Sequence, residues 1–180
     1  MKELDLQKAF TLIEQGPVTM VATSLNGKNN VMTISWTMVM DFTPRFAFLT
    51  GSWNYSYEAL VNTKECVIAI PTIDIIDAVI SAGVTSGGEK DKFSEFGFTA
   101  LKASEVGAPL IKECYANIEC RIIDHIEKHD IFVVDAVKAW IDDDREDKRI
   151  FHAIGDGTFV TNGETFDRKK QMRDKLPPGV

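Results

Sequence analysis

The chain has 180 residues, 44% of them hydrophobic, and 27 acidic against 20 basic side chains give a formal net charge of -7 at pH 7. That length fills one well-cored domain rather than two, and an acidic chain whose basic clusters (Lys148-Arg149, Arg168-Lys169-Lys170) are short argues against nucleic acid as a partner. Cys66, Cys114 and Cys120 lie in apolar runs without CxxC spacing, which argues against a disulfide scaffold or metal site. With acids at the N-terminus and no apolar run of membrane-spanning length, the expectation is a cytoplasmic protein without a membrane segment.

In chain order, Leu4, Ala9, Phe10, Leu12 and Ile13 space as a short amphipathic helix ended by Gly16-Pro17, and residues 18–24 read as the first strand. Asn26-Gly27 signals a hairpin, because both residues tolerate positive φ, and it leads into a long alternating run over residues 30–40. Thr43-Pro44 ends that run. Residues 45–50 form a third strand, 55–64 a helix, and 65–70 a buried strand stopped by Pro71. A helix over 74–82 precedes a Gly-rich segment, 81–88, and a short charged helix, 90–96. Two long strands, 114–126 and 129–141, then form a second hairpin, followed by short runs at 149–153 and 158–161. The acidic run 142–148 reads as a solvated loop, since hard-cation loops need glycine-assisted curvature and spaced ligands. The sum is mainly antiparallel β with a few helices and no internal repeat, and strands long enough to curl favour a closed or split barrel.

Two segments carry candidate chemistry. On the 30–40 run, strand alternation puts Met32, Ile34, Trp36, Met38 and Met40 on one side, toward a core, and Thr33, Ser35 and Thr37 on the other, where hydroxyls and open backbone face a flat polar ligand or water. The second is Thr50-Gly51-Ser52-Trp53-Asn54-Tyr55-Ser56-Tyr57, which joins a strand to a helix. There Ser52, Asn54 and Ser56 either cap the helix or help its first N–H groups hold a phosphate. No Walker lysine and no GxGxxG loop is present.

The order of these segments resembles the flavin reductase-like, FMN-binding split-barrel family, and most of all its flavoredoxin branch. The resemblance spans residues 16–137 and rests on Asn30-Val31-Met32 leading to Trp36, on Tyr55-Ser56-Tyr57, and on Val67-Ile68-Ala69-Ile70-Pro71. It also rests on Ser86-Gly87-Gly88-Glu89-Lys90-Asp91-Lys92-Phe93 followed by Gly97-Phe98-Thr99. It implies a six-stranded Greek-key split barrel over residues 16–141 with a C-terminal extension over 142–180, a homodimer, and bound FMN exchanging electrons with NADH, NADPH or a protein donor.

Carried onto this sequence, the resemblance lays Met32, Thr33, Ile34, Ser35, Trp36 and Thr37 along the isoalloxazine ring and puts the FMN phosphate at Ser52, Asn54, Tyr55 and Ser56. Lys92 is then either the cation for that phosphate or a surface charge. Trp36 is either a flavin contact or core, and its place among apolar even-numbered residues favours core. His129 stands where nicotinamide-using relatives carry Gly-Asp-His, but the motif here is Glu127-Lys128-His129, with Val134 in place of a glycine. That departure weakens the expectation of nicotinamide use and leaves His129 a tentative substrate-side residue. No acid–base catalytic residue and no metal site is assigned, because flavin chemistry belongs to the cofactor. The expected function is an FMN-dependent oxidoreductase. The alternatives are an FMN-binding electron carrier without turnover of its own, and a barrel that has lost its cofactor.

Overall fold

The computed structural model describes residues 1–172 and 174–177, so Arg173, in the basic tail, lies outside the described residues. The described residues form twelve strands and four α-helices. After β1 (Lys2–Leu4) the expected short amphipathic helix forms as a 3-10 helix at Leu6–Leu12, followed by β2 (Thr19–Leu25), β3 (Lys28–Ile34), β4 (Thr37–Asp41) and β5 (Arg45–Leu49). Helix α1 (Tyr57–Thr63) precedes β6 (Glu65–Ile70), and α2 (Ile76–Val84) and α3 (Lys92–Phe96) precede the small pair β7 (Ala100–Leu101) and β8 (Leu110–Ile111). The long strands β9 (Ala116–Ile126) and β10 (Ile131–Ile141) are followed by β11 (Phe151–Ala153), β12 (Phe159–Thr161) and α4 (Lys169–Met172).

The main sheet has eight strands where six were expected. Its antiparallel path runs β3-β2-β6-β9-β10-β5-β4, with β1 also pairing β10. The extra strands arise at the N-terminus and at Ser35-Trp36, where the expected 30–40 strand divides into β3 and β4. Those two lie at opposite ends of the path, yet Ile34 and Thr37 are three residues apart and therefore within about 10 Å of each other. The sheet must curl until its two edges nearly meet, which makes it a split barrel, and the Leu49 amide donating to the Trp36 carbonyl (3.1 Å) fixes the crossover.

This break corrects the expected facing of the run. Met32 points into the barrel as anticipated, but after the crossover Val39 packs against the interior, while Trp36, Met38 and Met40 are exposed at 66, 54 and 48%. Thr37, paired with Phe48, turns to the interior and away from Thr33. A continuous strand would have kept its period of two, whereas a change of edge resets the phase.

The barrel interior holds Met32, Phe46, Phe48, Cys66, Ile68, Ile118, Cys120, Phe132 and Val134. A second cluster lies outside the sheet, where Met20, Ala22, Val31, Val67 and Ala69 are covered by Val79 and Ala82 of α2, Phe93 of α3 and Phe151 of β11. Strands β2 and β6 are thus buried on both faces, the physical reason residues 66–70 of β6 read as an unbroken apolar run. The loop between β7 and β8 is held by a fully buried carboxylate. Glu119 accepts from the amides of Ser104 (3.1 Å), Glu105 (2.6 Å) and Val106 (3.2 Å), from the Ser104 hydroxyl (3.1 Å) and from the Trp140 indole N–H (2.7 Å).

The acidic run also differs from a plain solvated loop. Arg145, in its middle, is largely buried and ties the run to Asp74 (2.8 Å), the Thr72 hydroxyl (2.7 Å) and the Glu113 carbonyl. Its charge is thereby spent within the fold.

Candidate functional site

Strand β3 pairs with another strand only through β2, so the backbone groups of its alternate residues face away from the sheet. Lys92 marks that open edge. Its side chain is only 4% exposed as a residue, and its ammonium donates to the carbonyls of Val31 on β3 (2.9 Å) and Ala82 in the last turn of α2 (2.7 Å). The end of a helix favours a cation, which helps explain how the side chain tolerates its place. Asp91 caps α3 by accepting from the amides of Phe93 (3.1 Å) and Ser94 (3.5 Å) and so sets the Lys92 backbone. No carboxylate pairs with Lys92 among the described residues, and burial pulls its amine down to about 8. An ammonium with three donors and two carbonyl partners has room for an anion.

A polar cluster adjoins Lys92 on one side. Asn30, next to Val31, donates from Nδ2 to the Ser56 hydroxyl (2.8 Å), and both side chains are buried. The Asn54 side-chain oxygen accepts from the Ser56 amide (2.9 Å). Lys28 donates to the Tyr55 hydroxyl (3.0 Å) and the Gly87 carbonyl (3.0 Å), closing the Gly-rich segment over the cluster. Gly87 is needed for that closure, since a Cβ there would stand 2.1 Å from Asn30 Oδ1 and 2.7 Å from the Tyr55 ring. Gly87→Ala is expected to push this segment off the cluster. A rise in amide hydrogen exchange confined to residues 85–90, with little change in the β9–β10 pair, checks it.

On the other side of Lys92 the same edge enters a cavity of about 390 Å³ lined by Thr33, Ile34, Ser35 and Trp36 of the crossover, Val18, Ile80 and Gly83 of α2, and Ala153, Gly155 and Phe159 of the β11–β12 hairpin. The Thr33 hydroxyl donates to the Val79 carbonyl (2.7 Å), so it anchors α2 and is not freely offered to a ligand. A Cβ at Gly83 would lie 3.1 Å from Thr33, and its absence lets α2 close on the strand. The cavity lining carries no ionisable side chain.

The structure therefore brings together Thr33, Ile34, Ser35 and Trp36 in the cavity, and Asn54, Tyr55 and Ser56 in the cluster, with Lys92 between. Met32 lies beneath them in the barrel core and contributes through its backbone position alone. Trp36 is a cavity wall and not the core residue its spacing favoured. Thr37 faces the barrel interior, with its hydroxyl buried and lacking a protein partner among the described residues. Ser52 is exposed and takes no part in the bonds around Ser56. Helix α1 has only seven residues and Ser56 caps it through no side-chain bond, so its hydroxyl is committed to Asn30 and not to the helix start.

His129 does not open a strand. It lies exposed in a 3-10 turn at Glu127–His129, outside the cavity lining. His125 instead stacks on Phe132 (4.0 Å between centroids) at the barrel interior. Sequence reasoning missed Asn30 and Lys28 as side-chain contributors, and although it named the short runs 149–153 and 158–161 it did not bring Phe159 to the cavity. The only sequence signal for the hairpin is a pair of short apolar runs around Gly155 and Gly157.

Comparison with known proteins agrees with this architecture. Residues 14–158 match the family model described as flavin reductase like domain. A protein of unassigned function from Archaeoglobus fulgidus is 32% identical over 145 residues, covering 75% of this chain and 82% of that protein. The crystal structure of an FMN-binding domain of a flavin reductases-like enzyme from Shewanella baltica superposes with a TM-score of 0.86 at 24% identity, over 92% of this chain and 96% of that one. Flavoredoxin of Desulfovibrio vulgaris superposes with a TM-score of 0.77 at 23% identity, over 85% and 90% of the two chains.

Proposed function

Because the chain belongs to the flavin reductase like domain family, we propose that it binds FMN and acts as an FMN-dependent oxidoreductase, moving electrons between a donor and an acceptor. The observation that carries this reading is the open edge of β3, which runs from a buried, uncompensated ammonium into an apolar cavity. A flat heteroaromatic ring with a polar rim and a phosphate tail matches that sequence of surfaces. The ring would lie along Thr33, Ile34, Ser35 and Trp36. The phosphate would meet Lys92, Asn30, Ser56 and Asn54.

When bound, FMN supplies hydride and single-electron exchange; the protein supplies position and electrostatics. Edge N–H and C=O groups of β3 orient the polar rim, as a neighbouring strand would be oriented. Val18, Ile80 and Phe159 line the cavity and would exclude water from one side of a bound ring. Lys92 would hold the anionic end, leaving the Trp36 end open. No side chain is assigned a proton-transfer role. We further propose a cytoplasmic homodimer, in which a second copy covers the exposed Met38, Met40 and Phe42.

A second reading, an electron carrier fed by a partner protein, is favoured by one observation. Val134 stands where nicotinamide-using relatives have a glycine, and it is wholly buried in the barrel core, so it leaves no gap there. The visible spectrum of the purified protein, taken after adding FMN and desalting, tests the common premise. Retained flavin bands are expected, and their absence, together with no FMN fluorescence change on titration, would overturn the assignment. Ser56→Ala is expected to weaken FMN affinity about tenfold, one hydrogen bond's worth, and to lower Tm because the buried Asn30 amide loses its partner.

A further inference from the structure

A separate cavity of about 300 Å³ lies at the base of the β11–β12 hairpin, lined by Ile150 just before β11 and Asn162 just after β12. It shares no lining residue with the cavity at the β3–β4 crossover. Its floor is apolar. Leu12 of the 3-10 helix, Ile70 at the end of β6, Ile141 at the end of β10 and Ile150 are buried and belong to the barrel core. The Asn162 amide donates to the Gln15 side-chain oxygen (2.7 Å), and both residues line the opening.

The ionisable lining residues are Lys8, Lys148 and Tyr115, and no carboxylate lines the cavity. In a chain of net charge -7 this is a local reversal of sign. Neither lysine forms an ion pair among the described residues. Lys148 donates to the Asp143 main-chain carbonyl (2.6 Å), and the carboxylate of Asp143 is already taken by Lys2. The Tyr115 hydroxyl has no hydrogen-bond partner among the described residues. Burial, with Asp143 adding to it, raises its pKa, so at neutral pH it remains a neutral donor.

We propose that this cavity binds a small amphipathic monocarboxylate. The carboxylate meets the Lys8 and Lys148 ammonium groups and the Tyr115 hydroxyl, and the apolar body lies on Leu12, Ile70, Ile141 and Ile150. A carboxylate brought against an apolar floor needs charged partners, and two unpaired ammonium groups supply them. Size narrows the class. At the roughly 30 Å³ one water occupies in the liquid, the cavity holds about ten non-hydrogen atoms, which matches an acid of about eight carbons.

Calorimetric titration of the full chain with octanoate, octanamide and acetate, with and without saturating FMN, tests the site. Octanoate is expected to bind saturably at one site per chain. Octanamide, which lacks the charge, and acetate, which lacks the apolar body, should each bind about tenfold or more weakly. Added salt should weaken octanoate. Lys8→Gln combined with Lys148→Gln should weaken it at least about tenfold and leave thermal unfolding unchanged, since both lysines are exposed. FMN should leave octanoate affinity unchanged. No saturable binding of octanoate at millimolar concentration, equal binding of octanamide, or no response to the double substitution would each overturn the proposal. So would displacement of octanoate by FMN, which would put the acid in the crossover cavity.

Discussion

Lys92→Met is expected to separate stability from cofactor binding. The substitution keeps an unbranched apolar stem of similar length and removes an ammonium that burial already disfavours. Thermal unfolding of the FMN-free protein should therefore occur at the same temperature or higher. FMN affinity should fall about ten- to a hundredfold, the range for losing one hydrogen bond to a charged group. A large fall in Tm without a change in affinity would make Lys92 purely a clasp between α2 and β3.

The pH dependence of the same residue has an unusual sign for a lysine. Its folded-state value, about 8, lies below the ordinary 10.5, so between those limits the unfolded chain binds the extra proton. The contribution of Lys92 to stability is thus most unfavourable below about pH 8 and is relieved as pH rises toward 10.5. In the FMN-free protein this component of stability should increase with pH over that window, and Lys92→Met should lack it. FMN binding should run the other way, weakening as Lys92 loses its proton. Thermal melts and fluorescence titrations of both proteins at several pH values measure the two slopes.

Glu119→Ala is expected to be the most destabilising single change outside the barrel interior. The carboxylate is fully buried and is the common acceptor for three consecutive loop amides, a hydroxyl and an indole N–H. Its removal leaves several buried donors without partners, at a cost of about 3 kcal/mol or more. Urea unfolding measures it. Burial alone would push the Glu119 carboxyl up, but the hydrogen bonds from Trp140, Glu105 and Ser104 outweigh it and hold the group below its ordinary 4.5. A lowered carboxylate contributes stability that is fully present above the unfolded value and is lost as pH falls through the folded one. The wild-type protein should therefore lose stability more steeply below about pH 4.5 than Glu119→Ala does.

Much of the fold is legible because local signals and tertiary contacts agree in it. Asn26-Gly27 forms the expected turn with both residues at positive φ, 52° and 79°. Glu65–Ile70 is a strand with the expected limits, and the β9–β10 hairpin pairs nearly as its apolar runs suggest. Lys92 was legible as a candidate site residue only through the resemblance, whereas Ser56 was already a candidate in the strand-to-helix segment 50–57. Composition leaves Lys92 as one lysine among many, and its burial depends on α2 and β3 meeting it from two directions.

The sequence by itself determined the mainly antiparallel β architecture, the hairpins, the family and the segment 30–37 as a candidate ligand strip, because these rest on near-neighbour patterning and motif order. Only the tertiary structure decided that the strip breaks at Ser35-Trp36, that Trp36 forms a cavity wall and not core, and that Thr37 turns to the barrel interior. It also decided that Asn30 shares a cluster with Ser56, and that Phe159 closes the cavity from a hairpin more than a hundred residues downstream of Trp36. The reason is physical. Alternation records which residues share a face within one strand, but it carries no record of where the chain changes sheet edge, and that change is imposed by closing the barrel around its phenylalanine core.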